Sequence, residues 1–175
     1  PRQATPAEQD SHGTFGCIRG DTHFGEAVEK EYWDDDEGDY VTSRVYGPEI
    51  AAERVAEFGR KALRIREHMS SVATFDDCYL FLLGDIATGM HVYDGQWQDI
   101  EIPLNEQIEE SVSALFQLCR TLAREFDTLQ IRGVPGNHGT DNPSAAIGAN
   151  TDLLTYSWPD TSLRDTGTAN LHPRT

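Results

Sequence analysis

Two short apolar runs separated by one amphipathic segment constrain this chain more than any other feature. Tyr79-Leu80-Phe81-Leu82-Leu83 is apolar throughout, as expected of a strand covered on both faces. Asn105 can cap a helix reaching Phe126, in which Ile108, Val112, Leu115, Cys119, Leu122 and Phe126 fall on one face. Leu129-Gln130-Ile131-Arg132-Gly133-Val134 then supplies a second strand. Strand, helix and strand make a βαβ unit, so the strands should run parallel, with a right-handed crossover, and end on the same edge of a sheet. The expected fold class is α/β.

The rest of the chain adds to that unit. Thr14-Phe15-Gly16-Cys17-Ile18-Arg19-Gly20 is a Gly-interrupted candidate strand that delivers Asp21-Thr22-His23. Glu26 to Gly47 is acidic and rich in turn residues, with Asp34-Asp35-Asp36-Glu37 at its centre. The alternating ligands of a calcium loop are absent there, so a solvated loop is expected. A helix should start near Pro48 and run to about Ser70, with Ala51, Val55, Phe58, Ala62, Ile65 and Met69 as its core stripe. Gly89 to Pro103 reads as a loop, and Ala145 to Trp158 as holding a short helix. There is no internal repeat. Within 175 residues this makes one domain over 14–158, a polar lead over 1–13 and a polar, patternless tail over 159–175. Opening on Pro1 rather than Met, the chain reads as a piece of a longer protein as much as a whole one.

Composition excludes several roles. The formal net charge is −16, and Lys30 and Lys61 are the only lysines. Such a balance disfavours a general nucleic-acid surface, because counterion release from phosphates needs clustered Lys and Arg. It fits a protein working in concentrated salt, where self-repulsion is screened. Cys17, Cys78 and Cys119 are far apart and odd in number, so they read as buried thiols in a reducing compartment. No apolar run approaches a membrane span, and Pro1 to Gly13 lacks the regions of a signal peptide; a soluble cytoplasmic protein with no membrane partner is expected.

Three short motifs carry the chemistry, each directly after a strand-like run. Asp21 and His23 are two apart, so on an extended backbone a carboxylate and an imidazole can face one cation. Gly84-Asp85 sets a carboxylate with two oxygens after a buried strand, behind a residue without Cβ that lets the backbone approach a ligand. Val134-Pro135-Gly136-Asn137-His138-Gly139 offers the Asn137 amide oxygen to a metal and the His138 ring to a substrate. Taken singly, each motif is also a common turn. Taken together, their order would bring them to one sheet edge, where open α/β sheets place ligand sites.

As a set, Asp-x-His, Gly-Asp and Gly-Asn-His resemble the calcineurin-like metallophosphoesterase superfamily, over Phe15 to roughly Tyr156. The loop Gly84-Asp85-Ile86-Ala87-Thr88-Gly89, with Tyr93-Asp94-Gly95-Gln96, looks most like phage and archaeal phosphoesterases, some of them nuclease-like. The resemblance implies an αββα sandwich, incomplete at the C-terminus, with its first half in this chain, which alone would then be an inactive fragment. It implies two divalent metal ions, of manganese, iron or zinc. Asp21 and His23 would hold the first, Asp85 would bridge both, Asn137 would hold the second, and His138 would be the catalytic histidine. The implied activity is hydrolysis of a phosphate ester, with phosphodiesters, phosphomonoesters and nucleic acid as candidate substrates.

The pattern is not complete. Thr88 stands where the family usually has Asp or Asn, and Gly139 where it has an acid. The family pattern continues with a lone His and a Gly-His-x-His, but after His138 the one histidine is His172, which matches neither and reads as a tail residue. Arg19 and Arg132, on strands leading into the site, are candidates for phosphate contact. Two other classes compete with the enzyme: a degenerate, non-catalytic phosphoesterase-like scaffold subunit, and a nucleotide-binding α/β domain. The latter lacks a Gly-rich phosphate loop.

Overall fold

A computed structural model describes residues 11–140, 149–164 and 169–171. In chain order the elements are β1 (His12–Arg19), β2 (Val28–Asp34), β3 (Asp39–Tyr46), α1 (Pro48–Met69) and β4 (Thr74–Leu82). Then follow α2 (Leu104–Ala123), β5 (Thr128–Gly133), α3 (Thr151–Arg164) and β6 (Ala169–Leu171). Strands β1, β4, β5 and β6 form one sheet in that order, all parallel, and β2 and β3 form a separate antiparallel pair. The β4-α2-β5 unit expected from periodicity is present.

Alternation along the strands decides where the core lies. Phe15, Cys17, Cys78, Leu80, Leu82, Leu129 and Ile131 are buried, and they pack with Val55 and Ala62 of α1 and Leu115, Leu118, Cys119 and Leu122 of α2. Helix α1 packs on α2 and α2 on α3, which makes one helical layer. The opposite face is different: Ile18 is 63% exposed and Phe81 37%. Strand β4 is therefore covered on one face rather than both, and its unbroken apolar run is no evidence of a second layer. The exposed face keeps some order through the stacked rings of Tyr79 and Phe81, 6.1 Å apart.

Helix α1 keeps its expected limits, but only part of its stripe is core. Ala51, Val55 and Ala62 are buried, while Ile65 and Met69 are 54% and 42% exposed. Ile65 and Met69 instead line an open groove with Phe15, Ile18 and Phe58 beside β1, which leaves them half in solvent. In α2 the buried line runs through Gln107, Ser111, Leu115, Leu118, Cys119 and Leu122, so two polar residues take core positions at its N-terminal end.

The expected loop over Glu26 to Gly47 is instead a hairpin. Tyr32 pairs with Val41 and Trp33 with Tyr40, whose rings meet edge to face at 5.4 Å. Glu29 pairs with Arg44 across the ladder. The acidic cluster is the turn: Asp34 Oδ1 accepts the backbone N–H groups of Asp36 and Glu37 at 2.9 and 3.3 Å. The charge run concealed flanking aromatic and β-branched residues that favour strands.

The polar stretch 159–175 also holds structure, since α3 continues to Arg164 and β6 pairs with β5. The start of the helix expected at Ala145, like His172, lies outside the described residues. No helix among the described residues is long and apolar enough to cross a membrane, and the three cysteines are free and buried.

Candidate metal centre

Parallel pairing brings the three motifs level. Arg19 is opposite Leu82, and Leu82 is opposite Gly133, so β1, β4 and β5 end together. Hydrogen bonding then continues past the strand ends. Asp21 N–H donates to Gly84 O at 3.1 Å, Thr22 and His23 both donate to Asp85 O at 2.9 and 3.0 Å, and Phe24 donates to Ile86 O at 2.8 Å. The loops after β1 and β4 are thus joined by backbone bonds rather than left to drift.

Asp21, His23 and Asp85 have φ of 49°, 48° and 52°, and among the described residues they alone are non-glycine with positive φ. Left-handed backbone costs an L-residue about 1–2 kcal/mol, although Asp and His tolerate it better than most. Strain of this kind persists where the surroundings over-determine it, and it gathers at functional sites. Here it turns one donor atom of each residue inward, until the three lie within 4.8 Å of one another. His23 Nε2 is 4.0 Å from Asp21 Oδ1, while His23 Nδ1 is buried without a partner.

His138 completes the group. Its backbone N–H donates to Asp85 Oδ1 at 2.7 Å, and its ring meets that of His23 edge to face at 4.5 Å. Its Nδ1 lies 2.9 Å from Thr88 O. A carbonyl only accepts, so Nδ1 carries the proton and Nε2 is the atom left for chemistry. Thr88 itself is buried, and its hydroxyl has no partner. Asn137 sits on the same loop, but it is exposed, and no hydrogen bond ties its side chain to the cluster. Arg132 is also apart, its guanidinium donating to Gln130 Oε1 and Ile131 O. Arg19 does line the pocket beside Asp21.

The N-terminal turn of α3 holds the two site loops against each other. Asp152 accepts the N–H groups of Asp85, Ile86 and Gly136 at 3.0, 2.9 and 2.8 Å. Burial pushes its carboxyl up, against these donors, which favour the carboxylate. Asn150 accepts Asp152 N–H at 2.9 Å and donates to Gly136 O at 2.9 Å. Tyr156 Oη accepts Gly84 N–H at 3.1 Å and donates to Val134 O at 3.2 Å; burial drives its phenol up, so it stays protonated. Sequence reasoning missed all three residues. A signal existed, since Asn150-Thr151-Asp152 before Leu153, Leu154 and Tyr156 is a helix start with its cap.

The same packing surrounds Gly139 and Thr88. A Cβ on Gly139 would collide with Asn150 Oδ1. Thr88 presents its backbone oxygen to both His138 and Gln96, and so the loop after Asp85 is oriented by main chain rather than by a carboxylate. Gln107 clamps the same loop, accepting Gly89 N–H at 3.0 Å. Neither a protein-family model nor a curated protein matches the chain.

Proposed function

We propose that this chain carries the ligands of a metal-dependent hydrolase of phosphate esters, of the calcineurin-like metallophosphoesterase type, within an αββα sandwich. The observation that carries this reading is the convergence of three backbone-strained residues, Asp21, His23 and Asp85, at level strand ends with their donor atoms close together. The donor set fits a cation. Metal–ligand distances of about 2.0–2.2 Å put neighbouring donors about 3–4 Å apart, a small closure from what is seen. An imidazole nitrogen of His23 with the carboxylates of Asp21 and Asp85 suits manganese, iron or zinc.

Asp21, His23 and Asp85 would hold the first ion. Asp85 has a second oxygen to share with another, towards which Asn137 would have to turn. The chemistry supplied by bound divalent cations at such a site is Lewis acidity: activation of a water and neutralisation of phosphoryl charge. The protein's own part is orientation and proton transfer. Thr88 O fixes the His138 ring, so Nε2, when protonated, can donate to the leaving oxygen of the ester.

The exposure of Asn137 favours a second reading, a non-catalytic scaffold with at most one ion. Metal content and a hydrolysis screen separate the two. With manganese, turnover of bis-p-nitrophenyl phosphate, p-nitrophenyl phosphate or single-stranded DNA marks the hydrolase, whereas a scaffold, like an inactive fragment, cleaves none of them. Asp85→Asn should abolish both metal binding and hydrolysis with the fold retained, because Asn also tolerates positive φ. His138→Ala should keep the metal and lose about 10²-fold or more in turnover. Metal-free wild-type protein, or activity unchanged in Asp85→Asn, would refute the hydrolase.

A further inference from the structure

Beside Asp21 and His23 a pocket of about 410 Å³ opens between the end of β1, the β2–β3 hairpin and α1, lined by Arg19, Glu26, Lys30, Tyr46 and Arg54. Three cations in one pocket run against a composition of 14 basic and 30 acidic residues. Elsewhere four cations find carboxylates, Arg44 with Glu101 and Arg60, Lys61 and Arg64 with Glu57, while Arg66 and Arg132 donate to backbone carbonyls. Among the described residues Arg19, Lys30 and Arg54 form no ion pair. Glu26 alone opposes them once Asp21 is committed to a cation.

The pocket is also built rather than incidental. The Tyr46 hydroxyl donates to Thr22 O, which pins the hairpin to the loop carrying Asp21 and His23. The Arg54 guanidinium lies over the Tyr46 ring, 4.8 Å from its centre, and Arg19 lies 5.9 Å from the centre of the Phe58 ring. Arg19 Nε is buried and has no hydrogen-bond partner. Burial lowers the Arg19 pKa, and the neighbouring Arg54 adds to that. Holding such charges together without a counterion is unfavourable, and a dianion between them would remove the cost.

We propose that this pocket is a subsite for a second phosphoryl group of the substrate, so that the protein selects small phosphate esters bearing a terminal phosphate beside the scissile one. Arg19, Lys30 and Arg54 are then specificity residues. The substrate class rests on the hydrolase reading; the anion site itself does not. Small rather than polymeric substrates follow because these three cations sit together in one pocket of about 410 Å³, whereas a nucleic-acid strand needs a basic track.

Two measurements test the proposal. In the first, inorganic phosphate is titrated calorimetrically into the full chain with a chelator present, so that no metal contributes. Binding should be detectable at millimolar phosphate and weaken about tenfold or more in the Lys30→Ala/Arg54→Ala double variant, whose substituted side chains are exposed. No binding, or binding untouched by the double variant, overturns the subsite. In the second, manganese-loaded protein is given a dinucleotide with and without a 5′-phosphate. The phosphorylated form should have a KM about tenfold lower, and that ratio should fall towards one in the double variant. Equal KM values in the wild type, or a preference for long single-stranded DNA, overturn the substrate class. Hydrolysis of neither dinucleotide would count against the hydrolase, while the calorimetry still decides the anion site.

Discussion

Asp21, His23 and Asp85 each hold a backbone conformation that a side chain disfavours, and the Asp21 side chain, 81% exposed, makes no hydrogen bond among the described residues to offset the strain. Replacing it with Gly relieves about 1–2 kcal/mol of left-handed strain and gives back about 0.4–1 kcal/mol as unfolded-state entropy. Asp21→Gly should therefore unfold in urea with unchanged or slightly raised stability while its manganese affinity falls. A clear loss of stability would mean that the carboxylate serves the fold. Tyr156 presents the opposite case, a side chain with no chemistry to perform. Tyr156→Phe leaves Gly84 N–H and Val134 O without their partner and should cost about 1–3 kcal/mol in urea denaturation. The metal site should loosen with it, because Gly84 precedes Asp85. A variant as stable as the wild type would show that α3 is not needed to hold these loops.

At the level of elements, the site depends on three parallel strands ending in register and on one helix closing over them. Strands β1, β4 and β5 lead into the loops that carry Asp21, His23, Asp85 and His138, and the first two turns of α3, which contribute no residue to that group, make the bonds that bring Gly84 to Gly136. That approach is close enough to exclude a side chain: Gly84 has φ of 86°, and a Cβ there would strike Gly136 N. The hairpin has another role. Mostly exposed and outside the main sheet, it is tied down through Tyr46 and forms one wall of the cationic pocket. Its acidic turn, the most conspicuous run of charge in the chain, is organised from within, with Asp34 closing the turn on itself.

Across the whole molecule, the excess of negative charge sets how stability responds to solution conditions. A net charge of −16 on a chain of 175 residues opposes compaction, and few ion pairs offset it among the described residues. Raising ionic strength from 0.1 to 1 M shortens the Debye length from about 10 to about 3 Å, which screens repulsion between surface carboxylates. The melting temperature should therefore rise with KCl over that range, as measured by circular dichroism. A flat or falling melting temperature would remove the case for adaptation to salt.

Local pattern determined much of this. The 3.6-residue stripes of α1 and α2, the apolar run of β4 and the run at β5 were legible because each reflects a face that must leave water, and their order fixed a parallel βαβ unit. The placement of Asp21, His23, Asp85 and His138 just after strands that end on one sheet edge was legible too. What the sequence did not contain was depth and contact. Leu83 and Ile65 read as core and are 52% and 54% exposed, since periodicity tells which side a residue faces but not whether a layer covers that side. Tertiary structure alone made the left-handed turns that gather Asp21, His23 and Asp85, the clasp of Asp152 and Tyr156 from 67 and 72 residues away, and the meeting of Arg19, Lys30 and Arg54. Those features rest on pairs distant in the chain, and a pattern read over ten or twenty residues cannot register them.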